Sequence, residues 1–558
     1  FGLLLQVGAA LAFLSELRTG DSSLLDGAPL GALLLGVALL FSFYQLHKAP
    51  LEQTAGWERR GLPVLANAGL GFLYVLAPLL FSTQGTVISW AIAGLLTLLV
   101  GLRIGSRAFL FSAFAVQLLG GGGFLVAASE VFGTLASEGL RPLAHSGFWA
   151  PMVLGVAALI GAWCLQRKPH ALVFNTQSLQ RLSDVLLVWG AVWWAWALVS
   201  EVLRFASSLL QGTLLLALAA LSVAIWAVCA LRTRWASLGR LCTLLMPVAG
   251  LVLLGAWEPR DRPASNVAWL AWLAVFAVHF VGLRRLASVI PEKALSGAHV
   301  LGCWLLIGVL ALELGYVLLL LSDEYNAWRW LGWAILPSLY LVLAAAPRSW
   351  PWPVSAYPRE YRVLAALPLA VLMLGWFWLA NFFSDGTAKP LPYVPLLNPL
   401  DLGLLFALLG IYLWLRSVAP QRGPRVELIA QGVAGISLFA FFTALVMRTA
   451  HHWSGVPFHL DALLESMLVQ AGLSIIWTLI ALGLMIGGHL RHRREVWLIG
   501  AALIALVVAK LFFVELSNRG GLARIVSFIG VGGLLLVVGY FAPDRESVVG
   551  GGGGGEWG

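Results

Sequence analysis

Apolar runs of about twenty residues follow one another along almost the whole chain, and that succession limits the fold more than any single motif. "LGALLLGVALLFSFYQLHK" (30–48) and "MLVQAGLSIIWTLIALGLMIGG" (467–488) are two of them. A hydrocarbon core about 30 Å thick takes roughly 20 helical residues to cross, so each run reads as one crossing. Lipid offers the backbone no water to bond, so a spanning segment must be a helix or part of a closed barrel. Barrel strands would show short stretches of alternating polarity, which this sequence lacks. Of the 558 residues 60% are apolar and 11% charged, far from the roughly 25% charged share of soluble domains. The expected fold is an all-α integral membrane protein with short loops and no soluble domain.

Charged residues, prolines and glycines divide the chain into about eighteen crossings, centred near residues 9, 39, 72, 94, 116, 156, 191, 220, 246, 276, 309, 336, 370, 408, 437, 477, 506 and 532. With crossings numbered from the N-terminus, twenty-four of the 35 Lys and Arg follow even-numbered crossings and ten follow odd-numbered ones, with Lys510 alone inside a crossing. One miscounted crossing in the middle would invert the bias beyond it. The steady alternation therefore supports both the count and an orientation with the even loops cytoplasmic. Asp323, Asp385, Asp461 and Glu465 are among the acidic residues on the opposite side. Leu-Arg closes several outside-to-inside crossings, as at Leu102-Arg103 and Leu490-Arg491, which fits duplicated helical hairpins and equally fits an arginine anchoring a helix C-terminus.

The net charge of +9 comes without a basic run or an aromatic RNA motif, so no nucleic-acid partner is expected. Cys164, Cys229, Cys242 and Cys303 show no CxxC or Cys/His ligand spacing and read as packing residues. Phe1 opens directly into an apolar run, which points to a longer chain, and "GGGGGEWG" at the end reads as a disordered or artefactual tail. The expected organisation is a helical-hairpin region over 1–380, a proline-rich strap over 381–401, a C-terminal membrane region over 402–543 carrying the polar residues, and the tail 544–558. Four prolines within ten residues make the strap stiff and extended on the outer surface.

Polar residues gather near the outer ends of the last crossings. Ser466, Gln470, Ser474 and Thr478 recur every four residues and form one stripe, which should face other helices or a wet cleft instead of lipid. Lys510, roughly 10 Å below the outer end of the next crossing, matches the depth of that stripe. Glu313 lies at similar depth, and because a lone charge inside a bilayer costs at least a few kcal/mol, Glu313 and Lys510 are the expected partners, snorkelling of Lys510 being the alternative. Glu515, Arg524 and Ser527 stand on the same side.

"RTAHHWSGVPF" (448–458) sits among them. One imidazole of His451 and His452, oriented by Asp461 or Glu465, could act as general acid or base, with Arg448 stabilising an anion and Trp453 at the interface. Capping and interfacial anchoring explain the same residues without chemistry. A metal across the His451–His452 loop, completed by His459 and Asp461, needs a loop conformation, because adjacent helical histidines point about 100° apart; no metal or other cofactor is expected. The 26 tryptophans form mostly an interfacial belt, although clusters such as "WWAW" and "WRWLGW" also suit sugar rings. No GxSxG, HExxH, P-loop or dinucleotide fingerprint occurs in a fitting context.

"AKLFFVELSNRGGLARIVSFIGVGGLLLVVGYFAP" (509–543), "RTAHHWSG" with "SMLVQAGLSIIW", and "PLPYVPLLNPLD" (390–401) resemble stretches of the domain-of-unknown-function family DUF2339. The likeness covers nearly the whole chain, with Glu515 standing where an Asp is expected. It implies a multi-pass protein of the bacterial inner membrane, working with a periplasmic protein partner, and it supplies no reaction.

Three functions remain open on the residues. The first is a glycosyl- or acyl-transfer enzyme acting at the periplasmic face on envelope glycan or lipid-linked substrate. His451, His452, Asp461, Glu465 and Lys510 would be its catalytic groups, and Arg448, Trp453, Ser466, Gln470, Ser474, Glu313, Glu515, Arg524 and Ser527 would line its substrate cleft. The second is a transporter or flippase with a Glu313–Lys510 relay. The third is a scaffold for a periplasmic assembly. Membrane lipids are partners in each case.

Overall fold

The computed structural model describes residues 27–48, 56–131, 140–167, 176–255, 262–321, 326–347, 350–418 and 423–511. These are helical throughout apart from their connections, with no strand among the described residues. In chain order the helices are α1 (Gly27–Lys48), α2 (Gly56–Leu80), α3 (Thr83–Ile104), α4 (Arg107–Val131), α5 (Ser146–Arg167), α6 (Thr176–Phe205), α7 (Ser208–Thr233), α8 (Ala236–Cys242), α9 (Leu245–Gly255) and α10 (Ala268–Leu286). There follow α11 (Glu292–Leu321), α12 (Asn326–Ala345), a π-helical turn (Glu360–Leu364) leading into α13 (Ala366–Phe383), α14 (Pro399–Val418), α15 (Pro424–Ser454), α16 (Leu460–Glu465), α17 (Met467–Leu490) and α18 (Arg494–Lys510).

Among the described residues 15 helical segments are long and apolar enough to cross a membrane, so the protein is multi-pass. The expected crossings centred near 39 to 477 each fall on one of them, and that near 506 falls on α18, a helix of 17 residues. Those near 9 and 532 lie outside the described residues.

Two units divide the chain: 1–257 with 266–295, and 258–265 with 296–558. In the first, α1–α2, α3–α4 and α5–α6 pack as consecutive helix pairs. Lipid gives helices no hydrophobic reason to associate, so close packing at small residues does that work. At the α5–α6 crossing a Cβ on Gly155 would stand 2.9 Å from the Gly190 carbonyl oxygen, and one on Gly190 would stand 2.9 Å from that of Gly155. Val87, Ala91, Leu154 and Trp193 form the core beside this crossing.

The second unit is built on α12, α13 and α14, which enclose Leu341, Phe377, Leu400, Leu404 and Trp414. Hydrogen bonds sort its connections into two ends. At one, the backbone N–H of Ala327 donates to the Thr387 carbonyl and the Trp328 indole to that of Lys389. At the other, Tyr340 Oη donates to the Tyr361 carbonyl at 2.5 Å and the Trp414 indole to that of Arg362 at 2.8 Å. The first end carries the connections after odd-numbered crossings and the second those after even-numbered ones, as the charge alternation requires.

Candidate functional site

The segment between α13 and α14 is not the straight strap that its prolines suggest. Turns at Ala388–Leu391 and Val394–Asn398 fold it back over the helix ends, with Leu391 and Leu397 exposed and Ser384, Ala388 and Asn398 buried. Gly386 makes one bend possible at φ +79, where a Cβ would press on the Arg448 Cδ at 3.2 Å and on the Tyr393 ring at 3.3 Å.

Arg448 secures this fold from below. It lies near the end of α15 with no exposed surface; its Nη2 donates to Asp401 Oδ1 at 2.9 Å, and its Nη1 to the Asn381 carbonyl and Oδ1 at 3.1 and 3.3 Å. Asp401, equally buried, also accepts the Leu396 N–H at 3.2 Å. Asn381 donates onward to the Ala440 carbonyl. A charge taken out of water is tolerated when it is paired, and here both guanidinium Nη atoms are bonded while Nε is buried without a hydrogen bond among the described residues. Arg448 is thus turned inward to Asp401, which corrects the expectation of an outward cation holding a substrate anion.

His451 and His452 close α15 on helical backbone and not on a loop, and no cluster of three or more metal-ligating side chains exists among the described residues. Each ring has one nitrogen on a carbonyl: His451 Nδ1 on Val456 at 2.7 Å and His452 Nε2 on Asp385 at 2.9 Å. A carbonyl oxygen accepts, so these nitrogens carry the protons. His451 Nε2 and His452 Nδ1 are left as lone-pair acceptors with no hydrogen bond among the described residues. The rings stand 4.8 Å apart at 68°, and His452 stacks on Tyr393 at 4.3 Å. Burial, with the Asp401 charge next, pushes the Tyr393 phenol up to about 12, Arg448 pulling the other way. Asp461 and Glu465 are exposed on α16, and backbone carbonyls, not these carboxylates, orient the imidazoles. Trp453 is 66% exposed, its indole donating to the Tyr393 carbonyl.

Lys510 meets the polar stripe at the depth its spacing predicts. Its Nζ donates to the Gln470 carbonyl at 2.6 Å and to Ser474 Oγ at 2.8 Å, 5.9 Å from the centre of the Trp477 ring. Trp477 in turn donates to Thr443 on α15. The Gln470 side chain bonds back to the Leu464 carbonyl, while half-buried Ser466 stands at the N-cap position of α17 without a side-chain capping bond. Glu313 corrects the expected pairing with Lys510: it accepts the Ala264 N–H at 2.5 Å and sits 3.4 Å from the Arg262 guanidinium. The nearer cation came from a connection, not from another crossing. Glu515, Arg524 and Ser527 lie outside the described residues.

With the helices and the clamp in place, the comparison with known families is decisive on kinship. Residues 3–544 match the family described as "Predicted membrane protein (DUF2339)". The chain belongs to the DUF2339 family. No curated protein and no solved structure matches it.

Sequence reading missed four residues of this DUF2339 site: Asn381, Asp385, Tyr393 and Asp401. Each had a bland local explanation in a polar connection. The signal available was an Asn and an Asp bordering apolar runs, both within reach of a helix-end Arg. The opposite end of the same unit holds a second polar group, where His299 Nδ1 lies 3.0 Å from Tyr361 Oη and the imidazole packs against the Tyr357 ring, 4.1 Å away and tilted by 31°. His279, buried on α10, belongs to the first unit.

Proposed function

We propose that this DUF2339 protein carries out acid/base-assisted glycosyl or acyl transfer on envelope glycan or lipid-linked substrate, at the outer face of the bacterial inner membrane. One observation carries the reading: two neighbouring imidazoles, each fixed by a backbone carbonyl, leave one lone pair apiece beside the bent strap. Such a nitrogen takes the proton of an acceptor hydroxyl as its oxygen bonds to the acyl or anomeric carbon, and returns it to the departing oxygen. Trp453, Leu460, Leu464 and Leu397, exposed around it, suit a substrate delivered from the lipid side. Asp461 and Glu465 remain within the same connection as further acid/base groups, and Lys510 as a cation on the neighbouring helix. The relay reading is weaker, because Glu313 and Lys510 hold other partners.

Replacing His451 and His452 separately by Ala, then profiling envelope lipids and glycans by mass spectrometry at matched protein level, tests this. A substrate accumulates, or a product disappears, in at least one variant. Unchanged profiles in both defeat the transfer reading.

The scaffold reading has its own support in the buried Arg448–Asp401 clamp, which holds a strap with exposed Leu391, Val394 and Leu397 in one shape. A periplasmic protein cross-linked through Val394→Cys, together with unchanged envelope chemistry, would favour it.

A further inference from the structure

The two imidazoles at the end of α15 differ in how firmly they are held. His452 lies nearly parallel to the Tyr393 ring, 13° between planes and 4.3 Å between centres, while its Nε2–H donates to the Asp385 carbonyl at 2.9 Å. Turning the ring about Cβ–Cγ would break both contacts at once. His451 has a carbonyl of its own, that of Val456, but its ring stands tilted by 60° to Phe458 at 5.6 Å, a looser contact than a stack.

The strap supplies both restraints on His452 and is itself fixed at both points. The Asp385 carboxylate accepts from the Thr387 N–H at 3.0 Å and from Thr387 Oγ at 2.7 Å, which holds the turn that aims the Asp385 carbonyl. The Tyr393 ring packs against the bend at Gly386, and the Tyr393 carbonyl accepts the Trp453 indole at 3.3 Å. Tyr393 thus grips two consecutive residues of α15, His452 by its ring and Trp453 by its backbone. A base acts best when its lone pair is aimed before the substrate arrives, because no free energy then goes into freezing the ring. Nε2 carries the proton, so the aimed lone pair is that of Nδ1.

We propose that Tyr393 is a positioning residue for His452, holding its ring through the stack so that His452 Nδ1, and not His451, takes the proton of the acceptor hydroxyl. The proton moves to Nδ1 as the hydroxyl oxygen bonds to the acyl or anomeric carbon, and the imidazolium returns it to the departing oxygen. This assignment rests on the transfer reading above.

Alkylation isomers read the positioning without any transfer assay. A freely turning imidazole alkylates mainly at the less crowded Nε2, whereas one whose Nε2–H is held on a carbonyl offers Nδ1. The full chain in detergent, with its four cysteines replaced by alanine and His451→Gln present, is treated with iodoacetamide. The peptide carrying residue 452 is then hydrolysed to separate the two carboxymethyl isomers. In this parent the Nδ1 isomer should lead about fivefold or more, the factor that one net hydrogen bond supplies. Tyr393→Phe, which keeps a stacking ring, keeps that excess, and Tyr393→Leu gives mainly the Nε2 isomer. An Nε2 excess in the parent, or an unchanged isomer ratio in Tyr393→Leu, overturns the proposal. Should Tyr393→Leu fail to accumulate, the parent and Tyr393→Phe decide, and an Nε2 excess in either overturns it. Envelope profiles are the second readout: His452→Ala and Tyr393→Leu alter them, and Tyr393→Phe restores them. Profiles altered by His451→Ala alone overturn the assignment while the transfer reading stands. Profiles unchanged in both histidine variants end the transfer reading, and the role of Tyr393 in it, even where the Nδ1 excess holds.

Discussion

Arg448 and Asp401 meet at 2.9 Å with neither side chain exposed, 47 residues apart in sequence. The contact ties the end of α15 to the first turn of α14 and so fixes the segment between α13 and α14, since Asn381 in the last turn of α13 and Leu396 within the segment bond to the same two side chains. A buried pair of this kind adds little net stability over well-packed apolar residues, but losing one member strands the other.

Asymmetry between single and double substitution is therefore expected. Arg448→Met leaves the Asp401 carboxylate buried without its cation and should cost about 3–5 kcal/mol, with Asp401→Leu similar. The double substitution Arg448→Met/Asp401→Leu should recover most of that loss. Thermal unfolding in detergent, with proteolysis within 384–398, reads both effects. A double variant as unstable as the sum of the singles would show that the pair is not the clamp.

Tyr393 adds a pH dependence at the alkaline end. Its phenol is pushed up to about 12 by burial and by Asp401, so the folded state holds the proton more tightly than the unfolded chain, whose tyrosine titrates near ~10. The contribution is full below pH ~10 and is lost as pH rises through about 12. Melting curves of the wild type should fall more steeply over that window than those of Tyr393→Phe. Parallel slopes would place the ionisation elsewhere.

Periodicity and charge counting were enough for the crossings, because lipid imposes a length and a side on each run independently of its neighbours. The four-residue stripe likewise brought Lys510 to Gln470 and Ser474, since the start of α17 and the end of its antiparallel neighbour α18 lie at the same end and depth follows from rise per residue. Pairing across the bundle was not legible. Asp401 in a first turn and Arg448 in a late one each have a local reason in the helix dipole, which hides their mutual contact. Depth alone also misled for Glu313, as a cation in a connection can fold inward to meet it.

The two open imidazole nitrogens should react while a buried ring does not. His451 and His452 are half-buried, each with one ring nitrogen that makes no hydrogen bond among the described residues, whereas His299 has no exposed surface. Brief diethylpyrocarbonate treatment of the protein in detergent, followed by peptide mapping, should modify His451 and His452 at least tenfold faster than His299. Comparable rates for all three would mean that the rings are not held as described.

Orientation decides whether the imidazoles can meet an envelope substrate at all. In the second unit the bent strap and the connection 455–466 belong to the end that follows odd-numbered crossings, while the turn around Ser355 belongs to the other. The sequence count, twenty-four Lys and Arg after even-numbered crossings against ten after odd-numbered ones, predicts that the Ser355 end is cytoplasmic. Single cysteines at Val394, Asp461 and Ser355, all exposed, report this in a background whose four native cysteines are replaced by alanine. An impermeant maleimide should label Val394→Cys and Asp461→Cys in intact cells, and Ser355→Cys after permeabilisation. The reverse pattern would put His451 and His452 in the cytoplasm and end the periplasmic transfer reading, while the helix packing and the Arg448 clamp, which depend on no such sidedness, would stand.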